Sequence, residues 1–133
     1  MAKSISVARK IKPIETTGEL ARIVRDAVGS KYRRQKIHPA ARTFQAFRIF
    51  INDELGAVEK GVGDTVDVLR SGGRICVISF HSLEDRIVKN IFRDRKNDGT
   101  IDVLTKKPLR PGMDEMRVNS RARSAKLRIA EKK

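Results

Sequence analysis

The feature that most constrains the fold of this chain is the stretch at residues 77–89, which reads VISFHSLEDRIVK. An apolar run ending at Phe80 leads into a polar turn, and an amphipathic helical pattern follows the turn. In open α/β sheets, ligands bind just outside the carboxyl ends of strands, where such turns lie. The sequence therefore predicts an α/β fold with a candidate site in this turn. The candidate pocket-lining side chains are His81, Ser82, Glu84 and Asp85.

The apolar run at residues 74–80 is bounded by turn signals, with Gly72-Gly73 before it and the polar turn after it. This pattern is typical of a strand that is buried on both faces, as in parallel sheets. Cys76 is the only cysteine of the chain, and within this run it is predicted to be a small buried hydrophobe. Such a strand needs paired neighbours on both sides, and the chain offers few strands. We therefore expect an incomplete sheet that is part of a larger one.

Helical patterns precede this strand. Residues 1–13 are basic and weakly patterned, but Thr16 and Glu19 have the spacing of a capping box, followed by apolar residues at helical spacing. Residues 30–37 are predicted to be a basic loop. A second helix is predicted after Pro39, continuing past a bend at Gly56. The apolar positions of this helix are predicted to be core residues rather than platforms for stacking RNA bases. They include Phe44, Phe47, Phe50, Ile51 and Leu55.

The segments after the strand predict one helix and two further strands. Ser82 is predicted to cap the helix, with Asp85 three residues further on. Strands are predicted at residues 101–105 and 125–131, the second with Leu127 and Ile129 on one face, and residues 106–119 are predicted to be an irregular connection.

The charge balance of the chain predicts its class of partner. It has 30 Lys plus Arg against 16 Asp plus Glu, a formal net charge of +14. This excess predicts a polyanion, with nucleic acid first and an anionic membrane surface second, although a generally solvated basic surface is the alternative. No apolar run is long enough to span a membrane, no signal peptide is recognisable, and no Cys/His cluster has zinc spacing. We therefore expect a cytoplasmic protein with neither a membrane partner nor a metal site.

Several basic residues are candidates for RNA contact. In the tract at residues 119–126, arginines and hydroxyls alternate with few acids, a pattern that suits phosphate oxygens, and a solvated loop is the alternative. Arg42 could bind phosphate or pair with Asp53 or Glu54. For His38 and Lys89, the alternative to RNA contact is an ordinary solvent-exposed or capping position. The RNA-binding candidates are His38, Arg42, Lys89, Arg121, Arg123 and Lys126.

The turn at residues 81–85 has two open interpretations. It could be a helix cap and structural turn, or it could line a substrate or cofactor pocket directly. His81 is the better candidate than Ser82 for an RNA or pocket contact, because Ser82 is already predicted to cap the helix. The adjacency of the two does not indicate nucleophilic catalysis, which is recognised by geometry.

Five segments in order resemble the C-terminal half of the bacterial MraW/RsmH family of small-subunit ribosomal RNA methyltransferases. The resemblance covers nearly the whole chain, and five segments in the same order make it specific. The segments are IKPIETTGELARIV, HPAARTFQAFRIFINDEL, GGRICVISFHSLEDRIVK, LTKKPL and NSRARSAKLRIAEK.

The resemblance implies transfer of a methyl group from S-adenosylmethionine to the N4 atom of a cytidine in small-subunit ribosomal RNA. It also implies a class I methyltransferase sheet with a helical insert. Residues 1–55 would then be part of that insert, a region expected to recognise RNA, and residues 56–133 would be the C-terminal part of the core. Residues 73–80 would be the fifth strand, and the two later strands would be the terminal antiparallel pair.

The chain also departs from the family pattern. The family's cofactor-binding residues lie in its N-terminal half, so no cofactor-binding residue can be assigned here. The pairs Gly61/Gly63 and Gly72/Gly73 do not follow predicted strands, and Ser120 stands where the family usually has Pro. We therefore expect the isolated chain to be inactive and to need a complementing N-terminal chain or a homo-oligomer. The alternatives are a non-catalytic basic RNA-binding module and a decayed fragment.

Overall fold

The computed structural model describes residues 1–29 and 38–133. They divide into two compact units, Met1–Asn52 and Asp53–Lys133. The first unit is helical in its described part, and the second combines helices with a small sheet. The basic loop predicted at residues 30–37 lies outside the described residues.

The first unit contains helices α1 (Ala2–Ile11), α2 (Thr17–Ala27) and α3 (Ala41–Ile51). Helix α1 was not predicted, because its sequence is only weakly patterned. Helix α2 begins at the predicted capping box, which is confirmed. The Thr16 hydroxyl accepts from the Glu19 amide at 3.2 Å, and the Glu19 carboxylate accepts from the Thr16 amide at 3.2 Å.

The prediction that the apolar residues of α3 form core is wrong for its C-terminal half. Phe50 is 84% exposed and Ile51 is 75% exposed, and α3 has no fully buried residue. Helical periodicity identifies the side chains that share a face, but it does not tell whether another element covers that face.

The second unit begins with a left-handed residue, Asp53 (φ 46°), so a break at this point separates α3 from the next helix in place of the predicted bend at Gly56. The connection predicted to be irregular contains a short helix, α6. The elements in chain order are α4 (Glu54–Val68), β1 (Arg74–Ser79), α5 (Ser82–Asn97), β2 (Ile101–Val103), α6 (Met113–Val118), a 3₁₀ helix (Ser120–Ser124) and β3 (Lys126–Lys132).

The three strands form an open sheet in the order β1-β3-β2, with β3 antiparallel to both neighbours. The prediction of a parallel-type strand buried on both faces is therefore wrong for β1. Ile75 and Ser79 are buried, but Cys76 is exposed and Ile78 is 59% exposed. A continuous apolar run could not show that burial would alternate along the strand. Cys76 is accordingly not the buried hydrophobe that was predicted.

The core of this unit lies on one face of the sheet. Helices α4 and α5 contribute valines and Phe92, which is 1% exposed, and the strands contribute Ile75, Ile101 and Ala130. Leu127 and Ile129 share one face of β3, as predicted. They pair in register with Ile78 and Cys76, on the side of the sheet opposite to this core.

Candidate functional site

The polar turn lies between the end of β1 and the start of α5, and its cap differs from the prediction. His81, rather than Ser82, is the N-cap residue, and its partner is Glu84 rather than Asp85. The His81 Nδ1 atom accepts from the Glu84 amide at 3.3 Å, and Glu84 Oε2 accepts from the His81 amide at 3.2 Å. The extended backbone of His81 (φ −140°, ψ 167°) makes Ser82 the first helical residue, so the capping box lies one position earlier than predicted.

The second ring nitrogen of His81 is buried and has no hydrogen-bond partner among the described residues. Because Nδ1 accepts a hydrogen bond, the neutral ring carries its proton on Nε2. This Nε2 atom is 3.2 Å from Glu84 Oε1, but the contact lacks hydrogen-bond geometry. Among the described residues, it is the only buried side-chain nitrogen or oxygen atom without a hydrogen-bond partner. A cap and a further polar contact are thus compatible functions of His81.

Asp85 connects the first turn of α5 to β3. Its Oδ1 atom accepts from Arg128 Nε at 2.8 Å, and its Oδ2 atom accepts from Lys126 Nζ at 3.0 Å. The side chains of Asp85, Arg128 and Lys126 are 13%, 8% and 19% exposed. One carboxylate therefore balances half of the charge of two mostly buried cations next to the polar turn, and the cluster keeps a net charge of +1.

The electrostatic environment of Asp85 favours its charged form. Burial raises the pKa of this carboxyl, but the hydrogen bonds from Arg128 and Lys126 and the attraction of their charges outweigh burial. The net result is a pKa below the ordinary aspartate value. Asp85 is therefore an anchor for the turn in its ionised state rather than a candidate proton donor.

The predicted RNA-binding residues of the second unit lie in different surroundings. Arg121 and Arg123 are exposed in the 3₁₀ helix, where Asn119 caps the first turn by accepting from the Arg121 amide at 3.2 Å. Neither arginine forms an ion pair within the described part of the chain. Lys126 instead contacts Asp85, and Lys89 is exposed on α5.

The other two RNA-binding candidates belong to the first unit. His38 is exposed, and its Nδ1 atom accepts from the Ala40 amide at 3.2 Å in the turn before α3. Arg42 is exposed in the first turn of α3, where it borders a groove together with α1. Both positions are accessible, and a contact with RNA remains a prediction for each of them.

Within the second unit, the fold brings four of the predicted site residues together, namely His81, Glu84, Asp85 and Lys126. Sequence reasoning missed Arg128, which is 6% exposed. The available signal was the alternation of β3, which puts residue 128 on the same face as Ala130. An arginine on the buried face of a strand requires an acidic partner, and Asp85 supplies it.

The described residues contain neither a membrane-spanning helix nor a candidate metal site. No helix among them has the length and apolar character needed to cross a membrane. Across residues 1–29 and 38–133, His, Cys, Asp and Glu side chains do not gather in groups that could hold a metal ion.

Comparison with known proteins gives a consistent result. A family model described as "MraW methylase family" matches residues 1–133. The chain is 55% identical over 132 residues to "Ribosomal RNA small subunit methyltransferase H" of Persephonella marina, covering 99% of this chain and 45% of that relative. Proteins of the same description from Clostridioides difficile and Synechocystis sp. are 46% and 54% identical, over 99% and 95% of this chain and 47% and 41% of their own lengths. The chain thus spans about half the length of the curated relatives it matches.

Proposed function

Because the chain belongs to the MraW methylase family, we propose that it is part of an enzyme that methylates small-subunit ribosomal RNA. In this proposal, the methyl group comes from S-adenosylmethionine and is transferred to the N4 atom of a cytidine. The family match over all 133 residues carries the proposal, and the names of the relatives support the substrate class. The net charge of +14 suits such a polyanion. A ribosomal RNA substrate also implies a cytoplasmic enzyme.

The proposal assigns each of the two units to a part of the methyltransferase. The unit Asp53–Lys133 would be the C-terminal part of a class I methyltransferase core, and the unit Met1–Asn52 would be part of its helical insert. The sheet supports this assignment, because β1 lies beside the antiparallel pair of β2 and β3 and has no neighbour on its other side among the described residues.

The described residues do not fit a site for S-adenosylmethionine. Nucleotide-type cofactor sites in such folds use a glycine-rich turn directly after a strand. Here Gly61 and Gly63 lie inside α4, and Gly72 and Gly73 precede β1 instead of following it. A complementing N-terminal chain, or a second copy, would supply that site.

The chain's own residues would form one wall of the cleft and hold the RNA. A target cytidine must leave its base stack to be methylated, which costs a few kcal/mol. Contacts between phosphates and exposed cations such as Arg121 and Arg123 would offset that cost. The polar turn would lie beside the cleft, and its candidate polar contact is the buried Nε2 atom of His81, which has no hydrogen-bond partner among the described residues.

Complementation tests the reaction. The purified chain is mixed with the part of the Persephonella marina relative that it does not match, methyl-labelled S-adenosylmethionine and small-subunit ribosomal RNA. We expect no transfer from the chain alone and N4-methylcytidine, identified by mass spectrometry of nucleosides, from the mixture. Methylation of a different atom would contradict the proposed chemistry, and efficient transfer by the chain alone would contradict the need for a complementing part.

The lack of a fitting cofactor site, combined with the high positive charge, favours a second candidate function. The chain could be a non-catalytic RNA-binding module that keeps a basic surface without the methyl donor. Calorimetric titrations of S-adenosylmethionine and of ribosomal RNA into the chain and into the complemented mixture separate the two. RNA binding with no cofactor binding in the mixture would favour the module. A broad thermal transition with neither activity would indicate a decayed fragment.

A further inference from the structure

A groove of about 250 Å³ lies between α5 and the segment that follows β2, on the same side of the sheet as the core. Phe92 and Val103 form its apolar base, and Phe92 is only 1% exposed. Basic side chains from three elements line the groove, which we name the α5 groove, and none of its lining side chains from the described residues is acidic. These cations are Lys89, Arg93, Lys96, Lys106 and Arg128.

The geometry of the groove follows from the two elements that border it. Lys89, Arg93 and Lys96 are spaced i, i+4 and i+7 on α5, so they share one face of the helix. Opposite them, the backbone before Lys106 is fixed to β3. The Thr105 hydroxyl accepts from the Ile129 amide at 2.9 Å, and so this side of the groove is held by the sheet.

Two of the five groove cations have acidic partners, because Arg93 pairs with Asp94 at 2.9 Å and Arg128 pairs with Asp85 at 2.8 Å. In the described part of the chain, Lys89, Lys96 and Lys106 form no ion pair, and all three are exposed. By contrast, Arg95, elsewhere on α5, pairs with Asp67 at 2.7 Å. Like charges one helical turn apart repel each other, so the cluster is destabilising unless an anion binds to it.

We propose that the α5 groove binds the sugar-phosphate backbone of RNA, at a place separate from the polar turn after β1. This inference rests on the proposed function, because it takes ribosomal RNA as the substrate. The three cations of α5 extend over about 10 Å along the helix axis, which is long enough to contact more than one phosphate of a strand. The spacing favours a polynucleotide over a single phosphate ion.

The shape of the groove argues against a membrane surface as its partner. Proteins that lie on membranes insert apolar side chains beside their cations. Here the aromatic side chain of the groove, Phe92, is at the base and almost fully buried. The cations surround a concavity, and a polyanionic strand can enter it while keeping its bases outside.

The salt dependence of RNA binding tests the proposal. The triple variant Lys89→Gln, Lys96→Gln, Lys106→Gln of the full chain is titrated with a small-subunit ribosomal RNA fragment at several salt concentrations. Each lost phosphate contact reduces the slope of log K against log salt by about 0.7–0.9, so we expect a reduction of about 2. The matched control, Lys12→Gln, Lys60→Gln, Lys133→Gln, removes the same charge from exposed cations paired with acids outside the groove. We expect the control to change the slope by less than 1.

Equal changes of slope in the two variants would overturn the proposal that the α5 groove binds RNA. The proposed methyltransferase function would be unaffected, because the complementation assay tests it separately. A chain with no saturable RNA binding would overturn both the groove and its premise. Micromolar binding of inorganic phosphate alone, abolished in the groove variant, would overturn the polynucleotide assignment. The polynucleotide assignment would also be overturned if the triple variant lost binding to vesicles of anionic phosphatidylglycerol but bound RNA as the wild type does.

Protection from lysine acylation locates the contact without relying on a variant. The wild-type chain is treated with an amine-reactive ester with and without the RNA fragment, and the modified lysines are identified by mass spectrometry. We expect RNA to lower modification of Lys89, Lys96 and Lys106 several-fold and to leave Lys60 unchanged. Equal protection of all four lysines would contradict the groove.

Discussion

Asp85 accepts a hydrogen bond from Arg128 at 2.8 Å, and this contact joins the first turn of α5 to the middle of β3. The two residues are 43 positions apart in the chain. The polar turn after β1 is therefore held in place by an ion pair behind it as well as by its own capping box.

Asp85→Asn should destabilise the second unit by about 2–4 kcal/mol, because it leaves the buried guanidinium of Arg128 without a counter-charge. The free energy of unfolding is measured by urea denaturation followed by circular dichroism. Asp94→Asn is the matched control, because Asp94 is 63% exposed and, among the described residues, pairs with the adjacent Arg93 alone. The control should change stability by less than about 0.5 kcal/mol. Equal effects of the two variants would contradict a structural ion pair at Asp85.

The contribution of Asp85 to stability should depend on pH in a defined direction. Its pKa is lowered in the folded chain, so its contribution is present in full above the pKa of the unfolded state and is lost as pH falls through the folded value. The difference in unfolding free energy between wild type and Asp85→Asn should stay constant from pH 7 to about pH 5 and shrink below about pH 4. Taking the difference removes the contributions of other carboxyls. A difference that grows on acidification would contradict this assignment.

Two substitutions of His81 should separate its cap from its pocket contact. His81→Ala removes the N-cap acceptor and should cost about 1 kcal/mol, whereas Asn is a good N-cap residue and His81→Asn should retain stability within a few tenths. Because His81→Asn removes the imidazole Nε2 atom, we expect it to lower methyl transfer in the complemented enzyme. Unchanged transfer by a stable His81→Asn variant would leave His81 with a capping function alone.

Arg121→Ala combined with Arg123→Ala should weaken RNA binding and flatten its salt dependence, because both arginines are exposed and unpaired among the described residues. The slope of log K against log salt should fall by about 1.5. Arg74→Ala with Arg117→Ala is the control of equal charge, since each of these arginines has an acidic partner. An unchanged slope in the first variant would remove Arg121 and Arg123 from the RNA surface.

The order of the longer helices and of the strands in the second unit could be predicted from the sequence, because each of them left a local signal, whereas the short helix α6 and the 3₁₀ helix were not predicted. The apolar run of β1, the helical spacing of α5 and the alternation of β3 are properties of short segments. The capping box of α5 was predicted one residue too late, because serine is a commoner N-cap residue than histidine and local preference decided between them. The backbone conformation of His81, which is extended, shows that His81 and not Ser82 is the N-cap residue.

The errors in burial have one physical origin. Cys76, Ile78, Phe50 and Ile51 are apolar residues in regular elements, and each was expected to be covered. Coverage depends on which elements are packed against a face, and this information is not local. The pair of Asp85 and Arg128 was missed for the same reason, because it joins segments that only the folded sheet brings together.

The exposed thiol on the uncovered face of the sheet gives the chain a built-in reporter. Cys76 is the only cysteine, and it lies on β1, one of the two edge strands of the sheet among the described residues. A fluorophore attached to it would label a single known position without engineering of the sequence. Its emission and its accessibility to quenchers would then follow, in real time, whether another polypeptide comes to cover that face.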